Sequence, residues 1–170
     1  MARNVEVKAR IPSVEALLPA ACALADGEPE LITQDDTFFR VPMGRLKLRE
    51  FADGSAELIH YQRPDTPAAK LSDYRRLAVQ PAPMRELLER ALEGAGRVVK
   101  QRWLLHVGQT RIHLDRVAGL GDFMELEVVL REDQSQDEGT AIAEGLMREL
   151  GLARAERIAG AYVDLLAGRA

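Results

Sequence analysis

Polar and apolar residues alternate strictly at the start of the chain. In 4–10, Asn4, Glu6, Lys8 and Arg10 hold the even positions and Val5, Val7 and Ala9 the odd ones. Strand side chains point alternately to two faces, so this segment reads as a β-strand with one charged and one aliphatic face. The same segregation returns five times. Arg45, Lys47 and Arg49 alternate with Leu46 and Leu48, and Glu57, Ile59, Tyr61 and Arg63 share the face opposite Leu58. Lys100 and Arg102 alternate with Val99, Gln101 and Trp103; Arg111, His113 and Asp115 with Ile112 and Leu114; Glu125 and Glu127 with Met124, Leu126 and Val128. A single strand of this kind fits any antiparallel sheet with one face in water. Repetition of a face carrying both carboxylates and Lys or Arg describes the wall of an ion-binding site.

The pattern predicts strands at 3–11, 28–40, 45–52, 57–63, 70–79, 97–107, 109–117 and 122–131, with Asp53-Gly54 as a hairpin turn. Segments 13–25, 83–93, 137–150 and 155–167 carry apolar stripes at helical spacing, as in Met84, Leu87, Leu88, Ala91 and Leu92. Ser13 is placed to cap the first helix, Gly94 and Gly96 to end the second, and Gly151 to end the third. The stripes need an apolar partner. If they cover the aliphatic sheet face from outside while the sheet curls closed, the charged face becomes the interior of a barrel.

A chain of 170 residues, 29% charged and 46% hydrophobic, suits one globular domain spanning 1–170. No apolar run reaches the ~18 residues of a membrane span and no signal-peptide core opens the chain, so the expectation is a cytoplasmic protein without a membrane partner. Cys22 lies among Ala21, Ala23 and Leu24 and is expected to pack in the core. The net charge of −4 hides an asymmetry: 40–116 hold 15 Lys or Arg against 9 Asp or Glu, and 117–170 hold 5 against 11. An acidic chain argues against a nucleic-acid partner, so the basic middle is expected to serve a smaller anion.

Several fragments, in order, resemble a known family: Asn4-x-Glu6-x-Lys8, Asp36-Thr37-Phe38-Phe39, Gly44-Arg45-Leu46-Lys47-Leu48-Arg49, Tyr61-x-Arg63 with Lys70-x-Ser72-x-Tyr74, Val99-Lys100-x-Arg102, Leu114-Asp115, Glu125-x-Glu127 and Ala161-Tyr162-x-Asp164-Leu165-Leu166. The sequence is similar to the CYTH superfamily of triphosphate tunnel metalloenzymes, in its class IV adenylate cyclase-like branch. The resemblance implies an α+β fold, an eight-stranded antiparallel barrel with helices outside, whose tunnel binds a triphosphate and divalent cations.

In such a tunnel Lys8, Lys47, Arg49, Arg63, Lys100, Arg102 and Arg111 would bind phosphate oxygens, with Lys8 and Arg102 at the catalytic positions. Glu6, Asp115, Glu125 and Glu127 would hold Mg²⁺ or Mn²⁺, which prefer oxygen donors. Asn4 stands where the family pattern usually has Glu, and its missing charge bears on a second metal. Arg10, Arg45, Glu57 and Lys70 are expected at the rim, Arg75 and Arg76 to contribute little, and His60, His106 and His113 to be structural or at the rim. The resemblance favours an adenylate cyclase-like reaction, ATP to cyclic AMP and pyrophosphate. Hydrolysis of inorganic, thiamine or nucleoside triphosphate is the alternative, and a non-catalytic nucleotide or polyphosphate binder the third. Oligomeric state is left open between monomer and homodimer.

Overall fold

The chain alternates between strands that carry one aliphatic and one polar face, and it buries the aliphatic one by closing the sheet. The structure, a computed structural model, describes residues 2–168; residues 1, 169 and 170 of the expected domain lie outside that range. Eight strands, β1 (Ala2–Arg10), β2 (Glu30–Phe39), β3 (Arg45–Phe51), β4 (Ala56–Gln62), β5 (Lys70–Val79), β6 (Gly94–Val107), β7 (Thr110–Val117) and β8 (Gly121–Val129), are joined by helices α1 (Val14–Leu24), α2 (Pro81–Ala91), α3 (Gln136–Glu149) and α4 (Tyr162–Leu166). The strands form a closed antiparallel barrel in the order β1-β5-β4-β3-β2-β6-β7-β8. β1 pairs with both β5 and β8, so the sheet has no free edge.

Outside, Val5, Val7, Ile112, Leu114, Met124 and Leu126 pack beneath α1 and α3, while Leu48 and Ala56 pack against Leu88 of α2. Ser13 caps α1 by accepting from the Ala16 amide, and Ser135 with Glu138 forms a capping box on α3. Gly139 lets α3 approach β1 closely, since a Cβ there would lie 2.8 Å from Val5. The expectation for Cys22 fails, because it faces outward from α1 and is exposed.

Antiparallel pairing gathers the starts of β1, β2, β4 and β7 and the ends of β3, β5, β6 and β8 at one end of the barrel, the mouth. The other end, the base, is closed by the C-terminal segment. Here the expected helix over 155–167 shrinks to Tyr162–Leu166. The preceding residues run extended because β1 offers their backbone better partners: Arg157 bridges to Ala9, the Ile158 amide donates to Lys8 O, and the Arg10 amide donates to Glu156 O. Ile158, Ala161, Tyr162 and Val163 then pack on Phe38, Val98, Val117 and Phe123. Gly94 and Gly96, expected to end a helix, instead begin β6 opposite Phe39 and Phe38, across a bulge. Gly96 has φ +130° and a Cβ there would meet Val163 at 2.7 Å, so the plug and this glycine fit together.

Candidate functional site

Because the polar positions of each strand share a parity, barrel closure turns them inward together. They enclose a cavity of about 250 Å³, which is too large and too polar to be a packed barrel core and so holds water or a ligand. Of the residues singled out from the sequence, Glu6, Lys8, Lys47, Arg49, Arg63, Lys100, Arg102, Arg111, Glu125 and Glu127 all line it.

On the β2, β3, β6 and β7 side of the cavity, cations are held in shape by carboxylates. Arg49 donates Nε and Nη2 to Asp36 at 2.7 and 2.8 Å, and Lys47 Nζ donates to the same carboxylate at 2.8 Å. Arg102 makes a matching two-pronged pair with Asp115 at 2.7 and 2.6 Å and reaches Glu125 at 3.3 Å. Lys100 lies 3.4 Å from Asp115. Tyr162, delivered by the plug, donates its hydroxyl to Asp115 at 2.9 Å. Lys8 Nζ and Lys100 Nζ lie over its ring, 4.2 and 5.0 Å from the centroid, a cation–π arrangement that orders both ammonium groups. Lys8 also donates to Gly160 O at 3.2 Å. Removing two ions from water costs several kcal/mol each, so these pairs fix geometry at the expense of stability.

Burial sets the protonation of this set. Burial, then the neighbouring Arg102, brings Lys100 down to about 7, and burial with Arg49 brings Lys47 to about 8. Burial pushes the Asp36 and Asp115 carboxyls up, but their Arg and Lys partners outweigh it and hold both well below the usual range.

Toward the mouth, β1, β7 and β8 bring acidic groups together. Ligand atoms of His113, Glu125 and Glu127 all lie within 4.8 Å of one another, and Glu6 sits opposite Glu127 in the β1–β8 register. Burial raises the Glu6 pKa; Arg63 opposes the rise and the charges of Glu125 and Glu127 add to it. Burial, followed by Arg102, lowers His113, so its imidazole is neutral. Its Nδ1 is buried without a hydrogen-bond partner, 3.7 Å from Glu125 and 3.9 Å from Glu127. The Asn4 carboxamide oxygen, in a residue 1% exposed, is likewise unpartnered. Three carboxylates, each also paired with an arginine (Glu6 with Arg63, Glu125 with Arg102, Glu127 with Arg111), beside an unused imidazole nitrogen form a donor set that fits a divalent cation.

Three sequence expectations change here. Asp115, expected among metal ligands, is 0% exposed and outside the cavity lining; Arg102, Lys100 and Tyr162 occupy its oxygens. His113, expected to be structural or at the rim, joins the acidic cluster. Arg76, expected to contribute little, lines the cavity beside the ring of Tyr74. Its signal was present in the even positions Ser72, Tyr74 and Arg76. Asp36 and Tyr162 stood in the quoted motifs without an assigned role. Of the expected rim residues, Glu57 lines the cavity, Arg10 bonds Leu120 O, Arg45 pairs with Asp65 and Asp164, and Lys70 is buried against Thr66 O and Ala159 O.

The CYTH domain model matches residues 2–162. Among solved structures, the PH1012 protein of Pyrococcus horikoshii OT3 is 25% identical, with a TM-score of 0.84 over 95% of this chain and 98% of its own. A protein of Vibrio parahaemolyticus described as a candidate adenylate cyclase is 22% identical, with a TM-score of 0.77 over 96% and 97%. HpAC1 of Hippeastrum, a candidate adenylyl cyclase with a dominant triphosphatase activity, is 16% identical, with a TM-score of 0.72 over 100% and 97%. No curated protein matches the sequence. Among the described residues, no helix is long and apolar enough to cross a membrane.

Proposed function

Because this chain belongs to the CYTH domain family, we propose that its barrel binds a triphosphate and supports metal-assisted attack on one of the phosphorus atoms. The charge of the wall carries this reading. Eight Lys and Arg side chains and five carboxylates line the cavity, a net positive interior in a chain of net charge −4. A compact polyanion, bound by charge-assisted hydrogen bonds, matches such an interior.

Lys8, Lys47, Arg49, Lys100 and Arg102 would bind the phosphate oxygens, with Lys8 and Arg102, both in reach of Glu125, nearest the metal-binding cluster. Glu6, Glu125, Glu127 and His113 would hold Mg²⁺ or Mn²⁺, with Asn4 as a neutral oxygen donor. When bound, the metal would neutralise phosphate charge and orient the phosphoryl oxygens. Asp36 and Asp115 act as positioning residues, each fixing the plane of a guanidinium.

Attack on the α-phosphorus with pyrophosphate leaving, the adenylate cyclase-like reaction, is the first reading, favoured by the family motifs in this sequence. Hydrolysis is the second reading, favoured by the activity described for the Hippeastrum relative. Chromatography of products from ATP and from inorganic triphosphate, each with Mg²⁺ or Mn²⁺, separates them. Cyclic AMP and pyrophosphate in equal amounts support the first; ADP with phosphate, AMP with pyrophosphate, or cleaved inorganic triphosphate supports the second. Binding without any product identifies a non-catalytic binder and refutes both.

A further inference from the structure

The mouth of the cavity is chemically one-sided. Ile32, Phe51 and Leu104 project into it from β2, β3 and β6, which are neighbours in the barrel. All three are half-buried, and each is diagonal to the next in the strand register, so they form an apolar arc. Glu57 and Arg111, on β4 and β7, flank these three, and Arg76 and Glu127, on β5 and β8, line the rest of the opening. Beside the arc, Gln34 faces inward opposite Phe51 in the β2–β3 register and two residues from Ile32. Gln34 is 4% exposed and its carboxamide oxygen has no hydrogen-bond partner.

An inorganic polyanion has nothing to set against this arc, and apolar wall left in water is unfavourable in proportion to its area. A flat ring would cover it, stacking on Phe51 and resting on the two aliphatic side chains. A ring N–H would also satisfy the Gln34 oxygen, whose burial without a partner is costly.

We propose that Ile32, Phe51 and Leu104 seat the organic end of the substrate, a flat nitrogen heterocycle bearing a hydrogen-bond donor, so that the protein selects organic over inorganic triphosphates. This rests on the triphosphate reading above. The heterocycle lies at the mouth, the terminal phosphate points to the base, and Gln34 accepts from the ring.

The test is equilibrium titration in Mg²⁺ with ATP, ribose 5-triphosphate and inorganic triphosphate, with ligand integrity checked after each run. The unaltered protein is expected to bind ATP about tenfold or more tightly than either ligand lacking the ring, the range of one stacked base. Phe51→Ala and Leu104→Ala are expected to weaken ATP by about tenfold while leaving inorganic triphosphate within about twofold. Equal affinity of the unaltered protein for all three ligands overturns the proposal without any variant, as does a variant that weakens ATP and inorganic triphosphate alike. Failure to bind any of the three refutes the triphosphate reading itself, and the heterocycle seat with it.

Discussion

Asp115 grips Arg102 through two hydrogen bonds of 2.7 and 2.6 Å in a position wholly closed to solvent. The carboxylate does not face the cavity, so its effect on a ligand passes through the guanidinium it aims. Asp115→Asn takes the carboxylate charge from Lys100 and leaves Arg102 only its longer contact to Glu125. A loss of about 3–5 kcal/mol is expected on breaking such a buried pair, read by denaturant unfolding. Tyr162→Phe removes only one hydrogen bond to the same carboxylate, and about 1 kcal/mol is expected.

Glu127→Gln keeps the side-chain size and removes one charge from the cluster with His113 and Glu125. It is expected to abolish Mg²⁺- or Mn²⁺-dependent turnover and to leave stability within about 1 kcal/mol, since no core packing changes. Turnover assays with and without chelator check this. Full activity in excess chelator, or in the variant, contradicts the metal role.

Arg49→Lys and Arg102→Lys replace a two-pronged donor with a point charge, so the pairs to Asp36 and Asp115 lose half their contacts and the phosphate loses a planar fork. Both should weaken triphosphate binding by about tenfold or more, from the lost charge-assisted bonds. Arg75→Lys, on the outward face of β5 and exposed, should change it little. Calorimetric titration compares them, and equal effects at all three positions would remove the support for a phosphate role.

Lys100 at about 7 and Lys47 at about 8 set a pH dependence. Both are charged below those values, so triphosphate affinity should fall as pH rises through them, and binding above about 7 should take up protons. Titrations in buffers of different ionisation enthalpy measure that uptake. For the ligand-free protein the sign is opposite. The unfolded chain keeps both lysines protonated toward the ordinary 10.5, so it binds more protons than the fold between those values, and stability should rise with pH across that window. No proton uptake on binding would contradict the lysine assignments.

Strand parity made most of the wall legible, because a period of two forces Glu6 and Lys8, or Lys47 and Arg49, onto one face whatever the tertiary structure. It could not tell a side chain that faces the cavity from one that lies behind it, and so Asp115 read as a ligand. That distinction depends on Tyr162, which arrives from the far end of the chain. The fourth helix is shorter than its pattern for a related reason: the apolar stripe over 155–167 satisfies helical spacing, but the base end of β1 claims Ile158 and Glu156 first. Arg75 and Arg76 are adjacent and alike in charge, so only the strand's parity, with Ser72 and Tyr74 inward, separates the one that lines the cavity from the one that does not. The apolar arc gave no chemical signal in the sequence, since Ile32, Phe51 and Leu104 look like core residues until the barrel turns them to the mouth.

A crystal structure of the protein with Mn²⁺ and a non-reactive ATP analogue tests the central claim most directly, because anomalous scattering locates the metal independently of the ligand. The account predicts a triphosphate inside the barrel between Arg49 and Arg102, with a manganese peak at His113, Glu125 and Glu127. A ligand seated on the outer surface, or a manganese peak away from these side chains, would contradict it.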